Sequence, residues 1–173
     1  NVNALKIILK YINNIDISDN DGNTALHYSI KMKNIDMFNL IIEKLPDINF
    51  QTYQGESPLH IACNFSQSEI ATLLTKLPDI DVNIQDFENQ ITPLMYSIIL
   101  EDNNLFNLLI SKSNIEIQDI NGNNPIHYAI SENNEYIINS LIDKYDTLHS
   151  TNLLGKTPIH LLLDNIKFNN LDA

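Results

Sequence analysis

Four histidines, His27, His60, His127 and His160, each stand three residues after a Thr, Ser or Asn in a recurring phrase. Histidine is the commonest general base and metal ligand, so the first question is whether these side chains converge. They recur at repeat-length intervals along the chain, which makes a row and not a cluster. Metal ligands must meet within about 2–2.1 Å of one ion, and a row cannot do that. His149 falls outside the phrase and reads as a surface residue. Cys63 is the single cysteine, too few for an internal disulfide or a thiolate metal site, and it reads as a small buried side chain. The acid pairs Asp79/Asp81 and Glu101/Asp102 fall in loop-like segments, where isolated carboxylates are solvated. No nucleophile elbow, Walker loop, His-Glu-x-x-His run or dinucleotide-binding glycine fingerprint occurs. The expectation is no catalytic residue, no metal and no cofactor.

The elements that carry these residues repeat. Five segments align, beginning at Asp19, Thr52, Asp86, Asp119 and Asn152, with the polar anchors Thr24, Ser57, Thr92, Asn124 and Thr157 spaced by 33, 35, 32 and 33 residues. Internal periodicity of this length is the mark of a stacked repeat architecture. All four glycines, Gly22, Gly55, Gly122 and Gly155, share one repeat position, where a tight turn calls for positive φ. Pro58, Pro93, Pro125 and Pro158 follow the anchor, the first helical position, where a missing N–H costs nothing. The anchor before each is a natural N-cap. Pro46 and Pro78 are expected to end the preceding helix.

A second helix in each unit shows apolar residues at i, i+3, i+4 spacing: Asp36–Ile42, Glu69–Leu74, Leu105–Ile110 and Glu135–Ile142. Ala4–Ile12 looks like a second helix without its first. Thr157–Leu163 gives a first helix, with Phe168 and Leu171 as remains of a second. The third hairpin departs from the pattern. Asn89 stands in the glycine position, Ile91 reads as an extra residue and Met95 replaces the histidine, while Asp79–Gln85 before it is one residue longer. This irregularity either serves a partner or is drift on a tolerant loop.

These phrases, best preserved in Ser57-Pro58-Leu59-His60-Ile61-Ala62, resemble the ankyrin-repeat family from about Ala4 to Leu163. The resemblance implies an all-α solenoid of paired antiparallel helices joined by β-hairpin loops, in one domain of four full repeats (19–51, 52–85, 86–118, 119–151) between partial ones (1–18 and 152–173). It also implies that the motif histidines hydrogen-bond at the junction of hairpin and helix. Solenoid ends need polar caps, and the chain starts at Asn1-Val2-Asn3-Ala4 without Met or a signal-like apolar block, so a piece of a longer protein is expected.

The charge of −12, with ten lysines and no arginine, repels phosphate backbones and anionic lipid and would steer in a basic face. No apolar run approaches the ~20 residues of a membrane span. The expected partner is therefore a protein, one with a basic face fitting best, and neither nucleic acid nor membrane. The expected form is monomeric, intracellular and cytoplasmic. In ankyrin proteins partners touch the hairpin tips and the inner helix face. Those positions here are Tyr53, Gln54, Phe87, Glu88, Ile120, Asn121, Leu153 and Leu154 at the tips, with Phe65 and Leu100 at the helix ends. The competing reading for these apolar side chains is packing against neighbouring hairpins. Tyr28, Tyr96 and Tyr128 share one position and read as stacking core. Two functions fit: a protein-binding scaffold, or a targeting or regulatory ankyrin domain of a larger enzyme or effector.

Overall fold

Each polar anchor caps a short helix. Ser57 Oγ accepts from the His60 backbone N–H, Thr92 Oγ1 from that of Met95, and Pro58, Pro93, Pro125 and Pro158 each follow their anchor as the first helical residue. In a computed structural model describing residues 2–143 and 147–169, the chain forms α1 (Val2–Ile8), α2 (Ala25–Lys31), α3 (Ile35–Ile42), α4 (Pro58–Asn64), α5 (Ser68–Leu74), α6 (Pro93–Ile99), α7 (Asn103–Leu109), α8 (Pro125–Ser131), α9 (Glu135–Ile142) and α10 (Pro158–Asn169). A 3-10 turn spans Thr147–His149. No strand is formed among the described residues, so the hairpins are turns closed by one or two backbone bonds, such as Thr52 N–H to Glu56 O at 3.0 Å and Gly55 N–H to Thr52 O at 2.9 Å.

Helices of seven or eight residues are far below the ~12–15 residues at which an isolated helix becomes marginal in water. Their stability comes from packing in two layers. The first helices α2, α4, α6, α8 and α10 stack each on the next, and each of the first four packs on its successor α3, α5, α7 or α9. The seam between the layers holds Leu26, Ile30, Phe38, Leu59, Leu74, Leu94, Ile98, Phe106 and Leu141, all buried. Truncating one such leucine to alanine costs about 2–5 kcal/mol. Helix α1 packs on α3, which puts it in the second layer as its sequence pattern implies, although it stops at Ile8 and not Ile12.

The turn from first to second helix is a Schellman motif. In the first unit Lys33 N–H bonds to Ile30 O and Asn34 N–H to Ser29 O. Lys33, Ser66, Glu101 and Asn133 hold the left-handed position, with φ of 52, 50, 52 and 52°.

Several expectations need correction. Helix α10 does not end at Leu163 but runs on to Asn169, so Phe168 lies on that helix and not on a second one; Leu171 falls outside the described residues. Pro46 and Pro78 do not terminate helices directly, because α3 already ends at Ile42 and α5 at Leu74. They keep the chain from resuming a helix, with Leu45 already left-handed at φ 54°.

The third hairpin is also built differently from its sequence reading. Positive φ falls on Gln90 (56°), not on Asn89. Gln85 Nε2 donates to Gln90 O just as Gln51 and Gln118 donate to Gly55 O and Gly122 O, and Ile91 O accepts from His60 as Lys156 O does from His127. Gln90 thus occupies the glycine place and Ile91 is a regular residue. The additional residue lies in the tip between Phe87 and Asn89, lengthening the finger. Asp86 steadies it through Oδ1, which accepts from the Asn89 and Ile91 N–H groups.

Candidate partner-binding surface

The fingers are aligned by one backbone bond per step. Tyr53 N–H donates to Asp21 O, Phe87 to Gln54 O, Ile120 to Asn89 O and Leu153 to Asn121 O, at 2.9–3.0 Å. A glutamine ladder reinforces it: Gln51, Gln85 and Gln118 each bridge their own finger to the carbonyl of Gln85, Gln118 or Thr151 in the next. Close approach demands glycine at the turn. A Cβ on Gly55 would lie 2.3 Å from Phe87 N, whereas one on Gly155 would meet nothing within 4 Å.

With the backbones docked this closely, the tip side chains are turned outward. Leu153 and Leu154 are 78% and 79% exposed, Tyr53 68%, Phe87 64% and Ile120 48%; Gln54, Glu88 and Asn121 are exposed beside them. Phe65 and Leu100 are the C-cap residues of α4 and α6 and are partly open, at 37% and 41%. Ile99, by contrast, is half-buried. Side-chain bonds tie the first, third and fourth fingers to the side of their own first helices. Tyr28, Tyr96 and Tyr128 donate their hydroxyls to Asp19, Asp86 and Asp119, and Lys31 Nζ reaches Asn23 Oδ1. Tips and helix ends therefore belong to one continuous surface.

Those tyrosines correct the sequence reading. Tyr96 and Tyr128 do pack against the core, but their hydroxyls clamp the first carboxylate of each finger, and Tyr28 is 46% exposed. The Tyr28 bond, with backbone N–H groups of Asn23 and Asp21, holds Asp19 down to about 2. Burial pushes Tyr96 and Tyr128 above the ordinary phenol range, followed by the Asp86 charge for Tyr96 and the Asp119 hydrogen bond for Tyr128. The motif histidines are committed to the frame. Nδ1 accepts the N-cap backbone N–H at 3.1 Å in Thr24/His27 and Ser57/His60, 3.3 Å in Asn124/His127 and 3.2 Å in Thr157/His160. This fixes the proton on Nε2, which His60 donates to Ile91 O at 3.0 Å and His127 to Lys156 O at 3.3 Å in the next finger. The Phe50 and Glu56 carbonyls face His27 Nε2, but no acceptor lies in bonding geometry.

Burial favours neutral imidazole: His27 is lowered to about 4, and His60 and His127 are also lowered. Burial likewise pushes the Cys63 thiol up to about 12, far from thiolate chemistry. Among the described residues no group of three or more His, Cys, Asp or Glu side chains converges, and no helix is long and apolar enough to cross a membrane.

Two exposed apolar features lie outside the tips. Met32, the C-cap of α2, is 60% exposed and extends the row of Phe65 and Leu100. Leu45 is 88% exposed beside a depression of about 430 Å³ lined by Ile42, Pro46, Ile48, Leu77 and Pro78. Leucines near a helix end read as core in a periodic pattern, and only the left-handed turn at Leu45 reveals its direction.

Comparison with known proteins agrees with this geometry. The family profile described as ankyrin repeats (3 copies) matches residues 1–86 and 94–172. An ankyrin repeat protein of Acanthamoeba polyphaga mimivirus is 34% identical over 143 residues, covering 82% of this chain and 19% of its own length. Human Rabankyrin-5 is 25% identical over 145 residues, covering 82% of this chain and 12% of its own. The human palmitoyltransferase ZDHHC13 is 28% identical over 170 residues, 94% of this chain and 27% of its own. The chain thus spans about a quarter or less of these relatives. The docked fingers, the histidine-capped first helices and the matched profile lead to one conclusion, that this chain belongs to the ankyrin-repeat family.

Proposed function

We propose that this chain is a protein-binding scaffold that holds its partner on the finger tips and first-helix ends. Ankyrin repeats as a class mediate protein–protein interaction, and the partner here is a protein of unidentified sequence. The observation that carries the placement is the run of outward aromatic and aliphatic side chains, Tyr53, Phe87, Ile120 and Leu153, on fingers whose backbones are mutually fixed. A preordered row of this kind loses little conformational entropy on binding. Exposed aromatic anchors set among polar neighbours are where binding energy concentrates. The scaffold acts as an intracellular monomer.

The test is affinity capture from the source cell with the wild-type chain and with Tyr53→Ser/Phe87→Ser, followed by mass spectrometry. The double variant should lose the captured protein while keeping its helical circular dichroism and melting temperature. Capture that survives the double substitution removes this placement.

A second reading, a targeting or regulatory module of a larger enzyme or effector, is supported by the match to a palmitoyltransferase that is much longer than this chain. A native polypeptide no longer than residues 1–173 would eliminate it.

A further inference from the structure

The lysines are segregated. Between Lys44 and Lys156 the sequence holds only Lys76, Lys112 and Lys144; Lys76 and Lys112 follow the second helices α5 and α7. Lys112 Nζ is turned onto the Thr75 carbonyl of the same layer. The fingers and first helices from Thr52 to Asn134 carry no cation at all. They and the turns that follow the first helices do carry Glu56, Glu88, Glu101, Asp102 and Glu132, all exposed or half-exposed, besides the buried carboxylates Asp86 and Asp119. Among the described residues none of these seven forms an ion pair. At the far end Lys156 is neutralised by Asp164 at 2.7 Å, and at the near end Lys31 is bonded to Asn23. The second-helix layer mixes both signs. The middle of the finger surface is therefore a patch of uncompensated negative charge studded with Tyr53, Phe65, Phe87, Leu100 and Ile120.

We propose that this patch takes a peptide segment of a partner protein, extended as polyproline II, in which apolar residues recur about every third position with lysine or arginine between them; the proposal rests on the reading of the finger surface as the binding face. Charge complementarity selects the basic residues, and a nucleic acid is repelled by the same field. The stacking step selects the spacing. Packed helices lie about 8–10 Å apart, and a chain in the polyproline II conformation rises about 3.1 Å per residue and returns to the same face every third residue. One apolar anchor per finger then requires an apolar residue about every third position, with basic residues between.

The experiment selects a random linear 16-residue peptide display library on the whole chain, then titrates one enriched peptide, synthesised, by fluorescence anisotropy. Titrations use the wild type, Tyr53→Ser/Phe87→Ser and Glu56→Gln/Glu88→Gln/Glu132→Gln, at about 50 and 300 mM salt, with melting curves confirming that each variant folds. Enriched peptides carrying net positive charge and apolar residues near three-residue spacing are expected. The serine variant should weaken binding at least tenfold, and the glutamine variant severalfold with loss of most of the salt dependence. Enrichment of acidic or uncharged peptides that still depend on Tyr53 and Phe87 overturns the charge assignment and leaves the binding face intact. Peptides indifferent to Tyr53 and Phe87, or a selection that enriches nothing, overturn both.

Discussion

Replacing Gly55 with alanine isolates the finger docking on which the whole surface depends. Two costs are separable. The first is local: Gly55 sits at φ 84° and Gly155 at φ 69°, a region where a Cβ costs about 1–2 kcal/mol, offset by about 0.4–1 kcal/mol of lost unfolded-state freedom. Gly155→Ala should show only this, a net loss near 1 kcal/mol, because its Cβ meets nothing within 4 Å. The second cost exists only at Gly55. There the Cβ would lie 2.3 Å from Phe87 N and 2.6 Å from Phe87 Cγ, so the next finger must retreat. Retreat breaks the 2.9 Å bond from Phe87 N–H to Gln54 O, and strains the Gln51 bridge to Gln85 O. Each lost bond is worth about 1 kcal/mol, bringing the Gly55→Ala total to about 3 kcal/mol. Urea denaturation followed by far-ultraviolet circular dichroism measures both. Equal destabilisation by the two substitutions would refute the docking argument.

Acidification should destabilise the stack through its histidines. His27 has a folded-state value near 4 against an ordinary 6.5, so the unfolded chain binds more protons between those values. The stability is complete above about pH 6.5, falls as pH drops and is exhausted below about 4, amounting to about 3 kcal/mol at 1.36 kcal/mol per pH unit. His60 and His127 act in the same direction, and urea midpoints that rise on acidification from pH 6.5 to 4.5 would contradict this. His60→Met, which copies the natural Met95, should cost about 2 kcal/mol by orphaning the buried Ser57 N–H and removing one of two bonds to the Ile91 carbonyl, which still accepts from Asp86 N–H. A loss under about 0.5 kcal/mol would show that the histidine frame is dispensable. Gln85→Ala should cost about 1–2 kcal/mol and raise hydrogen exchange at the third finger, since it removes the bonds to Gln90 O and Gln118 O; unchanged exchange would count against the ladder.

Much of this was legible in the sequence because the period repeats each local rule. Thr24, Ser57 and Thr92 before the helix starts, glycines at one turn position, and histidines three residues after the anchors all announce their roles through chemistry that acts within a few residues. The outward direction of Tyr53 and Phe87 was readable only as a choice between interface and packing; the finger-to-finger bonds expose them without deciding what binds there. What escaped depends on geometry between elements or on substitutes for an expected residue. The Schellman turns at Lys33, Ser66 and Glu101 use no glycine, so nothing marked them. In the third finger Asn89 looked like the natural left-handed residue, yet the longer tip passes that conformation to Gln90, because the ladder from Gln85 and the bond to Ile91 O fix the register from both sides. The clamp of Tyr96 on Asp86 joins residues whose types suggest core and solvent respectively, and only the fold brings them together.

The most direct test of the central claim is hydrogen exchange of the chain with and without the protein captured by the wild type. Binding on the finger surface predicts slowed exchange of amides in segments 52–56, 86–91 and 119–123 and at the ends of α4 and α6, with the second helices α5 and α7 unchanged. Protection confined to α3, α5 and α7 or to the loops around Leu45 and Leu77, with the fingers unaltered, would contradict it.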